Sequence, residues 1–245
     1  MQGVILAAGK GIRLNPITEE IPKPMVEING VSLIHRTLTN MKAIGITEVL
    51  IVTGYLEDKL KAHVGDTYEG MNIVYISNPD YAVSNNIYSL YLTKNHIKKD
   101  ILLVEGDILF PEHLLQAFQN RIEDCIMMTS PYEPEKMDGT IVFADEGKVK
   151  QLLTKGEQQE QLDYSQAYKT VNLYRFGKTF LKQVYFPEME AYMRKFGRNQ
   201  YYEAVLGTIL RKKTGTICME LVLSEDWLEI DTVQEYEHAK KVWHS

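Results

Sequence analysis

Three cations and a run of small residues stand together near the start of this 245-residue chain. Leu6, Ala7, Ala8, Gly9, Lys10 and Gly11 follow the apolar Val4-Ile5, and Arg13 and Lys23 come soon after. Val4 to Leu6 reads as a buried first strand, and the small residues behind it mark a turn at the strand's C-terminal edge. Such a turn presents bare backbone N–H groups, which hold phosphate oxygens, at the edge where α/β sheets bind ligands. With Lys10, Arg13 and Lys23 added, the combination suits a triphosphate. Two common phosphate motifs are excluded. There is no G-x-x-x-x-G-K-[ST] loop, and Leu14 stands where G-x-G-x-x-G requires its third glycine. An isolated Gly9/Gly11 pair would be only an ordinary strand-to-helix turn.

Two acidic positions follow apolar runs. Leu103-Val104-Glu105-Gly106-Asp107 ends one strand, and Trp227-Leu228-Glu229-Ile230-Asp231 ends another. Magnesium takes oxygen ligands, typically one or two carboxylates completed by phosphates and water, and phosphoryl chemistry needs such an ion on the oxygens that gain charge. Either aspartate alone is as well read as a turn or a helix cap. Glu105 and Glu229, each two residues before an aspartate, are the weaker metal candidates.

The elements that must position these groups alternate along the first half. Strands are expected at Val49 to Thr53, Met71 to Ile76 and Asp100 to Val104, and helices at Leu33 to Ala43, Leu56 to Val64 and Asn86 to Lys94. That alternation implies an α/β fold with a mostly parallel, mixed sheet flanked by helices. From Cys125 the pattern changes to strands with short turns: Cys125 to Thr129, Thr140 to Phe143, Lys148 to Leu153 and Thr170 to Phe176. Helices follow from Lys178 to Lys195 and from Tyr201 to Lys212. A late strand, Ile217 to Leu223, leads to a final helix, Thr232 to Trp243, which Asp231 caps or just precedes. The expected organisation is one domain over 1–245, with a nucleotide-binding half at 1–130 and an acceptor-binding half at 131–245.

Composition narrows the classes. With 44% apolar residues the chain can bury a full core, and disorder is not expected. No run approaches the ~20 apolar residues of a membrane span. The chain opens directly on its first strand, so no signal peptide is expected. Cys125 and Cys218 are far apart and form neither a zinc motif nor a disulfide framework, which fits a reduced cytoplasm. A net charge of -6 argues against a general nucleic-acid binder. The six histidines are scattered, and no nucleophilic triad suggests itself.

Leu6 to Leu14 with Lys23-Pro24 resembles the start of the nucleoside-triphosphate transferases, L-A-A-G-x-G-x-R-L followed by K-P. These enzymes join an NTP to a phosphorylated acceptor and release pyrophosphate. Asn85-Asn86-Ile87-Tyr88-Ser89-Leu90-Tyr91 and Glu229-Ile230-Asp231-Thr232 resemble the bacterial CTP:phosphocholine cytidylyltransferases in particular. The resemblance implies a Rossmann-like, GT-A-like fold with a smaller acceptor-binding subregion. It implies a magnesium-dependent cytidylyltransferase with CTP and a small phosphorylated acceptor as partners, and a homodimer is compatible with it. It assigns Arg13 and Lys23 to catalysis and Asp107 and Asp231 to Mg2+. Leu6, Ala7, Ala8, Gly9, Lys10, Gly11, Asn78, Ser84, Asn85, Glu105 and Gly106 fall to the nucleotide. Asp138, Lys169, Asn172, Tyr201, Tyr202 and Glu203 fall to the acceptor. A cage tryptophan expected on the strand before Val142 is absent. Asp138 and Glu203 suit a primary amine, so phosphoethanolamine or 2-aminoethylphosphonate competes with phosphocholine. A sugar-1-phosphate enzyme using UTP or dTTP, and a non-catalytic nucleotide-binding module, are the remaining readings.

Overall fold

The computed structural model describes residues 1–159 and 161–243; His244 lies outside them. In chain order, β1 (Gln2–Ala7) leads through 3-10 turns to the β2 (Glu27–Ile28) and β3 (Val31–Ser32) hairpin and α1 (Leu33–Ala43). Then come β4 (Glu48–Thr53), α2 (Glu57–Val64), β5 (Thr67–Tyr68), β6 (Met71–Ser77), α3 (Asn86–Leu92), β7 (Ile101–Glu105), β8 (Ile108–Leu109) and α4 (His113–Gln116). The second half holds β9 (Cys125–Pro131), β10 (Ile141–Asp145), β11 (Lys148–Leu153) and β12 (Ala167–Phe176). It continues with α5 (Lys178–Phe180), a π-helical turn at Leu181–Tyr185, α6 (Phe186–Phe196), α7 (Glu203–Lys212), β13 (Cys218–Leu221), β14 (Leu228–Glu229) and α8 (Val233–Val242).

A ten-stranded sheet runs in the order β10-β11-β13-β9-β12-β7-β1-β4-β6-β5. β7, β1, β4 and β6 are mutually parallel. β12 runs antiparallel to both β7 and β9 and joins the two halves. Side chains alternate across the sheet with the period of two that a strand imposes. Val4, Leu6, Leu50, Val52 and Leu103 join one core with α3, α6 and α7. Ile5, Ala7, Val49, Ile51, Leu102 and Val104 join the other with α1, α2 and α4. Strands buried on both faces read as continuous apolar runs for this reason. In α1 the inward stripe is Leu33, Ile34, Thr37, Leu38 and Met41, and each fully buried aliphatic side chain contributes roughly 1.5–3 kcal/mol.

Two irregularities aim functional groups. Between Thr170 and Tyr174 the β12–β9 register shifts, and Asn172 there takes φ 60. Such bulges re-aim side chains beside functional sites. At the end of β7 the chain turns on Gly106, where a Cβ would lie 2.8 Å from Pro24 Cγ and 3.0 Å from the Leu6 carbonyl. Only glycine lets β7 turn this close to β1.

Candidate active site

The turn after β1 is built as its small residues require. Gly11 is left-handed at φ 61, and a Cβ there would press on the Lys23 Cβ at 3.1 Å. The Gly11 carbonyl accepts from Leu14 N and from Thr18 Oγ1 at 2.7 Å, which folds the segment back. The N–H groups of Gly9, Lys10 and Gly11 find no partner among the described residues. Pro22 and Pro24 hold a 3-10 turn over Lys23–Met25, so Lys23 enters the site from a stiff support.

Asp107 and Asp231 meet because β8 and β14 pair, with Glu229 opposite Ile108, and Ile230 N donates to the Asp107 carbonyl at 3.0 Å. Lys23 Nζ lies between the two carboxylates. It donates to Asp107 Oδ2 at 2.5 Å and to Asp231 Oδ1. Arg13, mostly exposed, donates to Asp231 Oδ2 at 2.6 Å. Burial alone would pull the Lys23 ammonium down, but Asp107 and Asp231 override it and hold the group far above the usual lysine range. Asp107 Oδ1 is buried with no partner. Among the described residues no set of three carboxylate, His or Cys ligands gathers for a metal. Two carboxylates with one free buried oxygen fit a magnesium ion whose other ligands are phosphates and water.

The cleft continues from this point, with a volume of about 920 Å³. Glu105, Glu203 and Glu229 line it beside the aspartate pair, with Thr140, Lys169, Asn172, Tyr201 and Trp227. Asn86 fixes this cluster with both ends of its amide. Its Nδ2 donates to Glu105 Oε1 at 3.1 Å, and its Oδ1 accepts from Tyr202 N at 3.0 Å. Lys169 is buried, donates to the Thr170 carbonyl at 2.7 Å, and lies 3.7 Å from Glu229 Oε2. Asn172 Nδ2, aimed by the bulge, donates to Glu229 Oε1 at 3.3 Å. The Glu203 Oε2 atom is buried with no partner. Burial raises the carboxyl groups of Glu105 and Glu203 and pushes Glu229 up to about 7, with Asp107 and Asp231 adding to it and Lys169 opposing.

A sequence model described as nucleotidyl transferase matches residues 2–241. This chain belongs to the nucleotidyl transferase family. One relative is the CMP-5'-(3-aminopropyl)phosphonate synthase of Streptomyces rubellomurinus, 31% identical over 205 residues, 83% of this chain and 32% of that protein. Another is a UTP–glucose-1-phosphate uridylyltransferase of Haloferax volcanii, 30% identical over 165 residues, 64% of this chain and 66% of the relative. The match thus spans about a third of the first relative's length and just under two thirds of the second's. Among solved structures, the CTP:phosphocholine cytidylyltransferase of Streptococcus pneumoniae superposes with a TM-score of 0.76 at 25% identity, covering 98% of both chains. The fold is therefore the Rossmann-like one of the nucleotidyltransferases.

Of the residues expected at a nucleotidyl transferase site, all but Lys10 and Tyr202 line the cleft. Lys10 stands exposed, its Nζ 5.8 Å from the Tyr81 ring centre. Tyr202 is a correction. Its ring is fully buried and packs edge-on against Tyr174 at 5.5 Å, because the residue before α7 turns its side chain under the helix. Asp138 lines the cleft but is already engaged, by Lys155 and by Gly139 N at 2.7 Å. Asn78 lines it too, yet its amide ties Ser84 at 3.2 Å, Ser89 at 3.0 Å and Asp80 N at 3.0 Å into one loop. Asn85 is the N-cap of α3. Asp231 just precedes α8, whose cap is Thr232 with Glu235 in a capping box.

Four cleft residues were missed or undervalued: Asn86, Trp227, Glu229 and Thr140. Glu105 and Glu229 each stand two residues before an aspartate, and the period of two that a strand imposes puts both members of such a pair on one face, which is where the cleft receives them. Trp227 supplies an aromatic face from the segment before β14 and not from the strand before Val142. Its presence two residues from Glu229 was the available signal.

Proposed function

We propose that this chain transfers CMP from CTP to a small phosphorylated head group, phosphocholine or an amino-bearing phosphate or phosphonate, with release of pyrophosphate. The supporting observation is a single cleft that holds two clusters of different charge. One offers bare N–H groups, Arg13 and Lys23; the other sets three glutamates against Lys169. A neutral sugar has no use for three acids whose pKa burial raises, whereas a cationic head group brings the charge that favours their ionised form.

In this reading the acceptor phosphate oxygen attacks the α-phosphorus of CTP, forms the new P–O bond, and expels pyrophosphate as the α–β bond breaks. The acceptor phosphate is largely ionised near neutral pH, so no general base is required. Gly9, Lys10 and Gly11 hold phosphate oxygens through backbone N–H groups, and Arg13 takes the β- and γ-phosphates. Lys23 bridges the α-phosphate and the incoming phosphate and remains protonated throughout. At ~4 Å and an effective dielectric near 20, each opposite-charge pair offsets roughly 4 kcal/mol of repulsion before desolvation. Asp107 and Asp231 would hold magnesium, which supplies charge neutralisation on the triphosphate oxygens.

The sugar-1-phosphate reading, with UTP or dTTP, is kept by the Haloferax uridylyltransferase relative and by Lys169 at the acceptor end. Pyrophosphate release with magnesium separates the two. CTP, UTP, dTTP and ATP are crossed with phosphocholine, phosphoethanolamine, 2-aminoethylphosphonate, phosphoserine and glucose-1-phosphate. Turnover confined to CTP and a head-group phosphate is expected. Turnover confined to UTP or dTTP with the sugar phosphate would overturn the proposal.

A further inference from the structure

The acceptor end is short of donors. Glu203 is 4% exposed. Its Oε1 receives a long contact from Thr140 Oγ1 at 3.4 Å, Asn86 and Lys169 lie near the carboxyl, and its Oε2 has no hydrogen-bond partner. Glu105 shares the amide of Asn86, and Glu229 shares Asn172 and Lys169. A buried acceptor without a partner is costly, and the ligand that completes it must bring N–H or O–H groups.

The same end is poor in free aromatic faces. A quaternary ammonium has no hydrogen to donate and is held by rings packed around it. Here the Tyr202 and Tyr174 rings are turned into the core. The Trp227 face is already covered by an ammonium of the chain itself, Lys169 Nζ, 5.5 Å from the ring centre. Tyr201 remains, half exposed at the rim. Lys169 indicates what this environment accepts: a primary ammonium that donates to oxygen and lies over the indole.

We infer that the acceptor is a phosphorylated or phosphonylated primary amine, discriminated from its trimethylammonium analogue by Glu203 as the receiving carboxylate. The inference rests on the cytidylyl transfer proposed above and narrows its acceptor. Sites built to pair a buried polar group reject ligands that lack the partner far more strongly than apolar pockets reject an extra methyl.

The test is a methylation series on the whole chain with CTP and magnesium, read as pyrophosphate release. Phosphoethanolamine is compared with its N-methyl, N,N-dimethyl and N,N,N-trimethyl forms, and 2-aminoethyl- and 3-aminopropylphosphonate with their trimethylammonium counterparts. A fall in kcat/KM at each methyl, reaching about 10²-fold at the trimethyl compound, is expected for a donor-dependent site. In Glu203→Gln the fall should flatten, because the variant loses the amine and not the methylated compound. Equal or better turnover of the trimethyl compounds overturns the inference and leaves cytidylyl transfer standing. Silence of every amine with CTP overturns it as well. If UTP or dTTP with glucose-1-phosphate then turns over, the transfer reading has fallen with it. The wild-type series decides the matter without the variant should Glu203→Gln fail to fold.

Discussion

Two adjoining clusters in the cleft, the phosphate end and the acceptor end, treat charge in opposite ways. At the phosphate end Lys23 answers Asp107 and Asp231 together, and Arg13 answers Asp231 from the rim. Cations and anions there are interleaved before any substrate arrives. At the acceptor end Glu105, Glu203 and Glu229 face one lysine, and a carboxylate oxygen of Glu203 stays unpaired. One end is internally compensated, the other unbalanced. The compensated end can orient a polyanion without rearranging, while the unbalanced end gains most from a ligand of the missing sign. A transferase that must bring two phosphates together benefits from this asymmetry, because the glutamates draw in the acceptor's amine while Lys23 receives its phosphate beside the triphosphate.

The largest effects should come from breaking the compensated end. Asp107→Asn and Lys23→Ala are each expected to lower kcat/KM by about 10²–10³-fold or more, the cost of removing a group aimed at developing charge. Steady-state pyrophosphate release measures it, and wild-type-like rates in either variant would refute the assigned roles. The acceptor end should respond differently, with Glu203→Gln acting on the acceptor's kcat/KM and leaving the KM for CTP near its wild-type value.

Stability sharpens the contrast. Removing Lys23 leaves two carboxylates buried and unanswered except by Arg13, which costs roughly 3–5 kcal/mol for a broken buried pair. A magnesium ion held by those carboxylates would restore part of this, so the melting temperature of Lys23→Ala should rise with magnesium more than that of wild type. The readout is independent of turnover, and equal magnesium responses would argue against Asp107 and Asp231 as its ligands. At the other end the sign reverses. Glu203→Gln removes one of three mutually repelling buried acids and supplies a donor, so the ligand-free protein should be unchanged or more stable by about 1 kcal/mol. Denaturant unfolding of the two variants side by side tests whether the ends differ as the geometry requires.

How much of this was legible depended on whether local sequence controls the geometry. The turn after β1 is local: small residues, a left-handed Gly11 and a proline-flanked Lys23 are written within one short stretch. Asp107 and Asp231 were recognisable because each ends an apolar run. Their meeting depends on the two-residue strands β8 and β14, which are too short to carry a periodic signal. The acceptor end is assembled from β7, β12, the start of α7 and the segment before β14, with a bulge deciding where Asn172 points. Alternation groups Glu105 with Asp107 and Glu229 with Asp231, but it does not give the directions of Asn172 at the bulge or of Glu203 at the start of α7. Asn86 was hidden by its neighbour, since either asparagine could cap α3 and only the fold shows that Asn85 does.

Tyr202 offers the smallest and cleanest test of where the acceptor end stops. Its hydroxyl is buried with no well-formed hydrogen bond, close to Glu105 and the Tyr174 hydroxyl, and its ring packs on Tyr174 behind the cleft wall. Phe at this position keeps the packing and removes an unpaired polar atom, so Tyr202→Phe should be neutral or stabilising by up to about 1 kcal/mol. The acceptor KM should not move. Tyr201, one residue earlier and half exposed on the rim, is the matched control, and Tyr201→Ala should raise the acceptor KM while leaving the melting temperature close to wild type. If the two results exchange places, the aromatic wall of the pocket lies on the Tyr202 side, the discrimination against trimethylammonium loses its basis, and the unbalanced carboxylates must be answered by something other than the acceptor's amine.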